Sequence, residues 1–209
     1  MRLILALAAS LLVAGCGRAQ GTAATAPAPP PGKALALNLV TAKTASPLKV
    51  ASDAIGADGS IDRKYTSYGD NQSPPVGWSP LAGAASYAVV LEDPDAHSDT
   101  PFVHWLIWGV PAAASSLPAG ITGGPKATAP GAAIQGLNGV GDIGYYGPHP
   151  PAGTGVHHYH LEVFALDAPI TVAAGGQLRD LLAAMRGHVL ADGELVGTFS
   201  APSAEAKSP

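Results

Sequence analysis

Glycine and proline constrain this chain more than any other feature: 26 glycines and 20 prolines occupy over a fifth of its 209 residues. An average protein has roughly 12% of the two together. Glycine raises the entropic cost of any regular element, and proline removes an N–H and fixes φ, so long coiled coils and simple helical bundles are excluded. What remains is a chain of short elements separated by turns. Hydrophobic residues at 47% are enough for one core, and the length allows one domain with extensions. Eleven Lys and Arg against fifteen Asp and Glu give a formal net charge of -4. No basic excess exists to release counterions from phosphates, which argues against nucleic acid as a partner.

The single cysteine, Cys16, excludes an internal disulfide and a cysteine-based zinc site. It ends the run MRLILALAASLLVAGC, in which Arg2 is a positive n-region, Leu3 to Val13 an apolar stretch, and Ala14-Gly15-Cys16 a small-residue cleavage point. That run is too short for a permanent membrane span. Leu12 to Cys16 resembles a bacterial lipobox, which implies cleavage before Cys16, lipid on its thiol and acylation, with palmitate for example, of the new amino group. Several acyl chains anchor stably, at about 0.8 kcal/mol per buried methylene. Gly17 after the cysteine is similar to the outer-membrane sorting class and implies an anchor on the periplasmic side of the outer membrane. The expected organisation is a lipoprotein signal peptide over 1–15, a lipidated Pro/Ala-rich tether over 16–46, a domain over 47–201 and a disordered tail over 202–209.

Within the domain the signals are mainly β. Ser86 to Glu92 and Phe102 to Val110 are rich in aromatic and β-branched residues. His158 to Asp167 alternates, with Tyr159, Leu161, Val163 and Ala165 on one face and His160, Glu162, Phe164 and Leu166 on the other. Helical spacing is clear only in Gln177 to Arg186, where Leu178, Leu181, Leu182 and Met185 share a stripe and Gly187 follows as a C-cap. A last strand, Glu194 to Ser200, is expected after an Asp192-Gly193 turn. In the tether, Ala34 to Val40 reads as a short strand. Trp78, Trp105 and Trp108 read as core, and pleating puts Trp105 and His104 on opposite faces unless a bulge intervenes.

Six of the seven histidines lie between positions 97 and 160, in two clusters where loops meet strands. If those strands are neighbours, Asp93, His104, His157 and Tyr159 converge. A metal site made of His157, His158, His160 and the two aspartates is disfavoured, because alternation splits the histidines between faces. A hydrolase using Asp93 and Asp95, or a serine activated by His104, lacks a Gly-x-Ser-x-Gly elbow, and Asp93-Pro94-Asp95 also reads as a plain turn. His149 and His160 read as exposed or structural, and His188 as a partner of the last helical carbonyls.

Ser73-Pro74-Pro75-Val76-Gly77-Trp78, Tyr87 to Ala96, Phe102-Val103-His104-Trp105, and Gly147 to Pro151 with Gly153 and His157-His158-Tyr159 resemble, in this order, the phosphatidylethanolamine-binding protein family. Leu181 to Leu190 with Gly193 to Thr198 is similar to its bacterial, Raf-kinase-inhibitor-like branch. The resemblance covers about Pro47 to Ser200. It implies a mainly β fold with a large central antiparallel sheet, a smaller sheet and few helices, and a small anion-binding cavity at one sheet end. It further implies a site of Asp93, Asp95, His104, Gly147, Pro148, His157 and Tyr159, without cofactor, metal or catalysis. Imidazoles, a phenol and loop N–H groups would donate to a small anionic or phosphorylated ligand resembling phosphoethanolamine, with Asp93 orienting His104 or pairing with a ligand ammonium. A homodimer is suggested by bacterial relatives. A kinase-inhibitor-like interaction module is the first alternative and a weak hydrolase the second. The chain departs from the family at His97, where proline is usual, and at His158, where arginine is common. Loss of that arginine predicts anion affinity that falls as pH rises past the imidazole value of roughly 6.5.

Overall fold

Eight consecutive buried residues mark Ser86–Asp93 (β3) as a strand covered on both faces. In the computed structural model of the protein, which describes residues 33–124, 131 and 133–203, β3 is the middle of a five-stranded antiparallel sheet. The order is β6-β4-β3-β7-β8, with β4 at Phe102–Pro111, β6 at Ile134–Gln135, β7 at Val156–Leu166 and β8 at Val189–Ser200. A smaller antiparallel sheet joins β1 (Val50–Ala51), β2 (Val76–Trp78) and β5 (Ser116–Leu117). The expected mainly β class, with two sheets and few helices, is what the chain adopts.

Alternation along the central strands divides the core in two. Tyr87, Val89, Leu91, Trp105, Tyr159 and Leu161 pack with Trp78 and Leu117 of the small sheet. Ala88, Val90, Leu106, Trp108 and Phe164 face the other way, against Leu181, Leu182 and Met185 of α2 (Leu178–Met185). Each large apolar side chain so enclosed contributes about 1.5–3 kcal/mol relative to exposure. All three tryptophans are core, as read from the sequence. The helix spans its apolar stripe, beginning one residue later and ending one earlier than the expected segment Gln177 to Arg186. A capping box between Gln177 and Asp180 opens it, and Gly187, at φ +76, follows its C-cap.

Two sequence expectations are corrected. Asp192-Gly193 is no turn: β8 runs unbroken through it for 12 residues. A Cβ at Gly193 would lie 2.3 Å from the Leu48 carbonyl oxygen, and the Leu48 N–H bonds the Asp192 carbonyl at 2.7 Å. Glycine is there for close backbone approach across a strand edge. Second, Ala34 to Val40 is not a strand, for Ala36–Leu39 forms a short helix, α1. Its first amides are accepted by two buried carboxylates from the central sheet: Ala36 N–H by Glu92 at 2.7 Å and Leu37 N–H by Glu162 at 3.1 Å. Leu35 and Ala36 are buried, and Lys33 Nζ donates to the carbonyls of Pro94, at 2.8 Å, and Ala96. The segment from residue 33 is therefore a strap packed on the domain, and the fold starts before Pro47.

The expected signal peptide, Cys16, the expected tether up to residue 32 and the tail from residue 204 lie outside the described residues. Among the described residues no helix is long and apolar enough to cross a membrane.

Candidate functional site

Because β3 runs antiparallel to both neighbours, its C-terminal end meets the starts of β4 and β7. Asp93 closes β3, His104 lies near the start of β4, and His157 and Tyr159 open β7. The convergence expected from adjacent strands is realised there.

A β-bulge refines it. Leu91 pairs with Trp105 and Glu92 with Val103, so His104 is an extra residue without a cross-strand partner. The pleat therefore no longer decides where His104 points. Its ring meets Tyr159 edge-on at 5.2 Å, on the side of the sheet to which Trp105 also belongs. A cleft of about 250 Å³ opens at this end, walled by Asp93, His97, Phe102, His104, Tyr146 and His157, with His149 and Pro150 at the rim.

Asp93 is braced on every side. One oxygen accepts the Asp95 and Ala96 N–H groups at 2.8 and 3.1 Å, and the other faces His157 Nδ1 at 2.7 Å. Both side chains are almost wholly buried. Burial pushes the Asp93 carboxyl above the usual range, and the hydrogen bond and charge of His157 work against it. His157 Nε2 lies 2.9 Å from the Thr154 hydroxyl. The expectation that Asp93 orients His104 is corrected, since Asp93 holds His157. The anchor of His104 is instead the Tyr146 carbonyl, 2.6 Å from Nδ1. A carbonyl only accepts, so Nδ1 carries the proton and a neutral His104 presents a bare Nε2. Burial depresses its pKa to about 4, with the charges of His157 and His149 adding and the Tyr146 bond opposing.

Four other expected site residues stand apart from the cleft. Asp95 turns to His158, accepting its backbone N–H and facing its Nδ1, both at 2.8 Å. Burial raises this carboxyl, but the His158 hydrogen bonds and the charges of His158 and His157 outweigh it and leave its pKa below the usual range. Gly147 cannot offer its N–H to a ligand, because Asn71 Oδ1 takes it at 2.7 Å; a Cβ there would come 2.7 Å from the Tyr65 carbonyl oxygen. Pro148 and Tyr159 border a separate internal void of about 20 Å³ behind the cleft. Among the described residues the Tyr159 hydroxyl has no partner there, and burial, then the nearby Asp93 charge, push its pKa far up.

The three clustered histidines of β7 disperse to three carboxylates: His157 to Asp93, His158 to Asp95 and His160 to Glu194. His160 is buried and structural, whereas His149 is exposed and stacks on Tyr68 at 4.7 Å. His188 meets the last helical carbonyl, that of Met185, through its backbone N–H at 2.9 Å, while its side chain faces Asp167 at 2.8 Å. Since His158 is not in the cleft, the pH dependence expected from it loses its basis. The titratable departure that does line the cleft is His97. Sequence reasoning missed Tyr146, Phe102, Thr154 and Asn71. Phe102 lies within a recognised motif and Tyr146 adjoins one, so proximity was an available signal; the Asn71 contact spans 76 residues and had none.

The sequence profile described as "Phosphatidylethanolamine-binding protein" matches residues 51–200. The chain belongs to the phosphatidylethanolamine-binding protein family. A UPF0098 protein of Pyrococcus horikoshii is 41% identical over 153 residues, 73% of this chain and 76% of that one. The "Putative lipoprotein LppC" of Mycobacterium tuberculosis is 34% identical over 92% of each chain, so that match extends beyond the family domain into the N-terminal region. Among solved structures, Escherichia coli YbcL, described as a new member of the mammalian PEBP family, superposes with TM-score 0.69 at 28% identity, covering 75% of this chain and all of that one. CT736 of Chlamydia trachomatis gives 0.66 at 32% identity, covering 75% and 99%.

Proposed function

We propose that this family member is a lipid-anchored binding module of the bacterial envelope. Its cleft takes a small anionic or phosphorylated group, such as phosphoethanolamine, without chemical turnover. The observation that carries the reading is the cleft itself: residues from the Asp-Pro-Asp, Phe-Val-His-Trp and Gly-Pro-His-Pro-Pro motifs, far apart in sequence, wall one cavity of about 250 Å³ at one sheet end. Binding rather than catalysis is supported by Asp93, both of whose oxygens are engaged by the protein, which leaves no free carboxylate to act as a base. Anchoring is supported by the lipobox-like run ending at Cys16 and by the extent of the similarity to the mycobacterial protein named as a lipoprotein. Placement at the periplasmic side of the outer membrane rests on Gly17.

Native mass spectrometry of the domain with O-phosphoethanolamine tests the binding. One bound equivalent is expected, lost in His104→Ala; equal retention by both proteins would remove the cleft from consideration. Incorporation of labelled palmitate, abolished by Cys16→Ser, tests the anchor.

A further inference from the structure

Among the described residues, the side-chain polar atoms of Asp93 and His157 at the floor of the cleft are committed to the protein, and of the three buried side chains there only His104 has an atom that is not. Asp93 has its two oxygens on the Asp95 and Ala96 amides and on His157. His157 has Nδ1 on Asp93 and Nε2 on the Thr154 hydroxyl. The Gly147 amide is taken by Asn71, and the Tyr146 amide by the His104 carbonyl at 2.9 Å. Three of the four residues over 148–151 are proline and have no N–H at all. The exception is His104 Nε2, and with Nδ1–H held by the Tyr146 carbonyl at 2.6 Å it is an acceptor. Among the described residues no lysine or arginine lines the cleft.

From this geometry we infer that the cleft selects a ligand group that brings its own proton: on a phosphorylated ligand, the P–OH of a singly protonated phosphomonoester, and not a phosphodiester. This rests on the anion-binding reading above and narrows it to a class. A singly protonated monoester donates P–OH to His104 Nε2 while keeping one negative charge. A phosphodiester carries the same charge but has only acceptor oxygens, which would face the Nε2 lone pair. Such an encounter leaves two buried acceptors opposed, the costly case for a desolvated polar pair. Protonation of His104 would convert Nε2 to a donor, but its ring is buried among Phe102, Tyr146 and Tyr159, near His157 and His149, where a further positive charge is disfavoured.

Methyl phosphate and dimethyl phosphate are the deciding probes, because the singly protonated monoester and the diester match in charge and differ in the proton. Isothermal titration of the unmodified protein at pH 6 is expected to show methyl phosphate bound at least about tenfold more tightly. The ratio of the two affinities is then expected to fall as pH rises, by up to about tenfold per unit above the monoester's second pKa near 6. Using the ratio cancels titration of His97, His149, His157 and Asp93, which face both ligands alike. Equal affinities with a flat ratio would overturn the inference while leaving anion binding intact. Failure of both probes to bind across pH 6–8 would overturn the anion-binding reading and this inference with it.

Discussion

Glu92 and Asp93 are neighbours on one strand, yet they serve opposite faces of the sheet under opposite electrostatic conditions. Asp93, toward the cleft, has both oxygens satisfied and an imidazole against it. Glu92, toward the strap, has one oxygen on the Ala36 amide and the other without a partner among the described residues, and Glu162 repeats the pattern with Leu37. The imidazole nearest in register, His160, is turned to Glu194. Burial drives Glu92 up to about 7, against the Ala36 bond and the His160 charge. It drives Glu162 well above the usual range, and the charges of Glu92 and Glu194 push it further. The cleft face meets its charge with fixed partners, whereas the strap face meets it by keeping protons. Burial raises all three carboxyls, but Asp93 has fixed partners on both oxygens to oppose it, so the strap face is where the fold answers most to pH.

Breaking the cleft side gives the largest effect. Asp93→Ala leaves His157 buried without its carboxylate and two loop amides without an acceptor, so a loss of about 3–5 kcal/mol in denaturant unfolding is expected, with ligand binding abolished. A loss under about 1 kcal/mol would mean that the brace is idle. The strap side comes next, and its sign is set by proton uptake. Between the ordinary carboxyl value of 4.5 and about 7, the folded chain keeps a Glu92 proton that the unfolded chain has released, so stability falls as pH rises through that window. The fall amounts to roughly 3 kcal/mol for Glu92, and Glu162 extends it to higher pH. Thermal unfolding of Glu92→Gln should therefore show a shallower decline from pH 5 to pH 8; an unchanged slope would refute the account. The smallest effect is expected at Lys33→Met, about 1 kcal/mol, because the lost bonds to Pro94 and Ala96 are only part-buried. It is best read as faster amide exchange of the 94–97 loop.

The same strand end shows what the sequence could reveal. The faces of β7 and the stripe of α2 were legible because each is written in local periodicity. The motif residues were legible as a set, since their order along the chain survived. Which of them meet was not. The His104 bulge alters a strand's count by one residue without any glycine or proline to mark it, and the partner of Asp93 is 64 residues away. The family resemblance puts Asp95 in the site beside Asp93, but the turn between them sends it to His158. The strap was illegible for the same reason: α1 is short, and the carboxylates holding its first amides come from 56 and 125 residues downstream.

The strap also sets the length of a leash. With Cys16 as the proposed anchor, about 17 residues lie between the lipid and Lys33, where some 31 would lie before Pro47. At full stretch the reach shortens from about 105 Å to about 60 Å. The hemisphere accessible to the domain then shrinks roughly fivefold in volume, which concentrates the cleft near the bilayer surface without a single added contact.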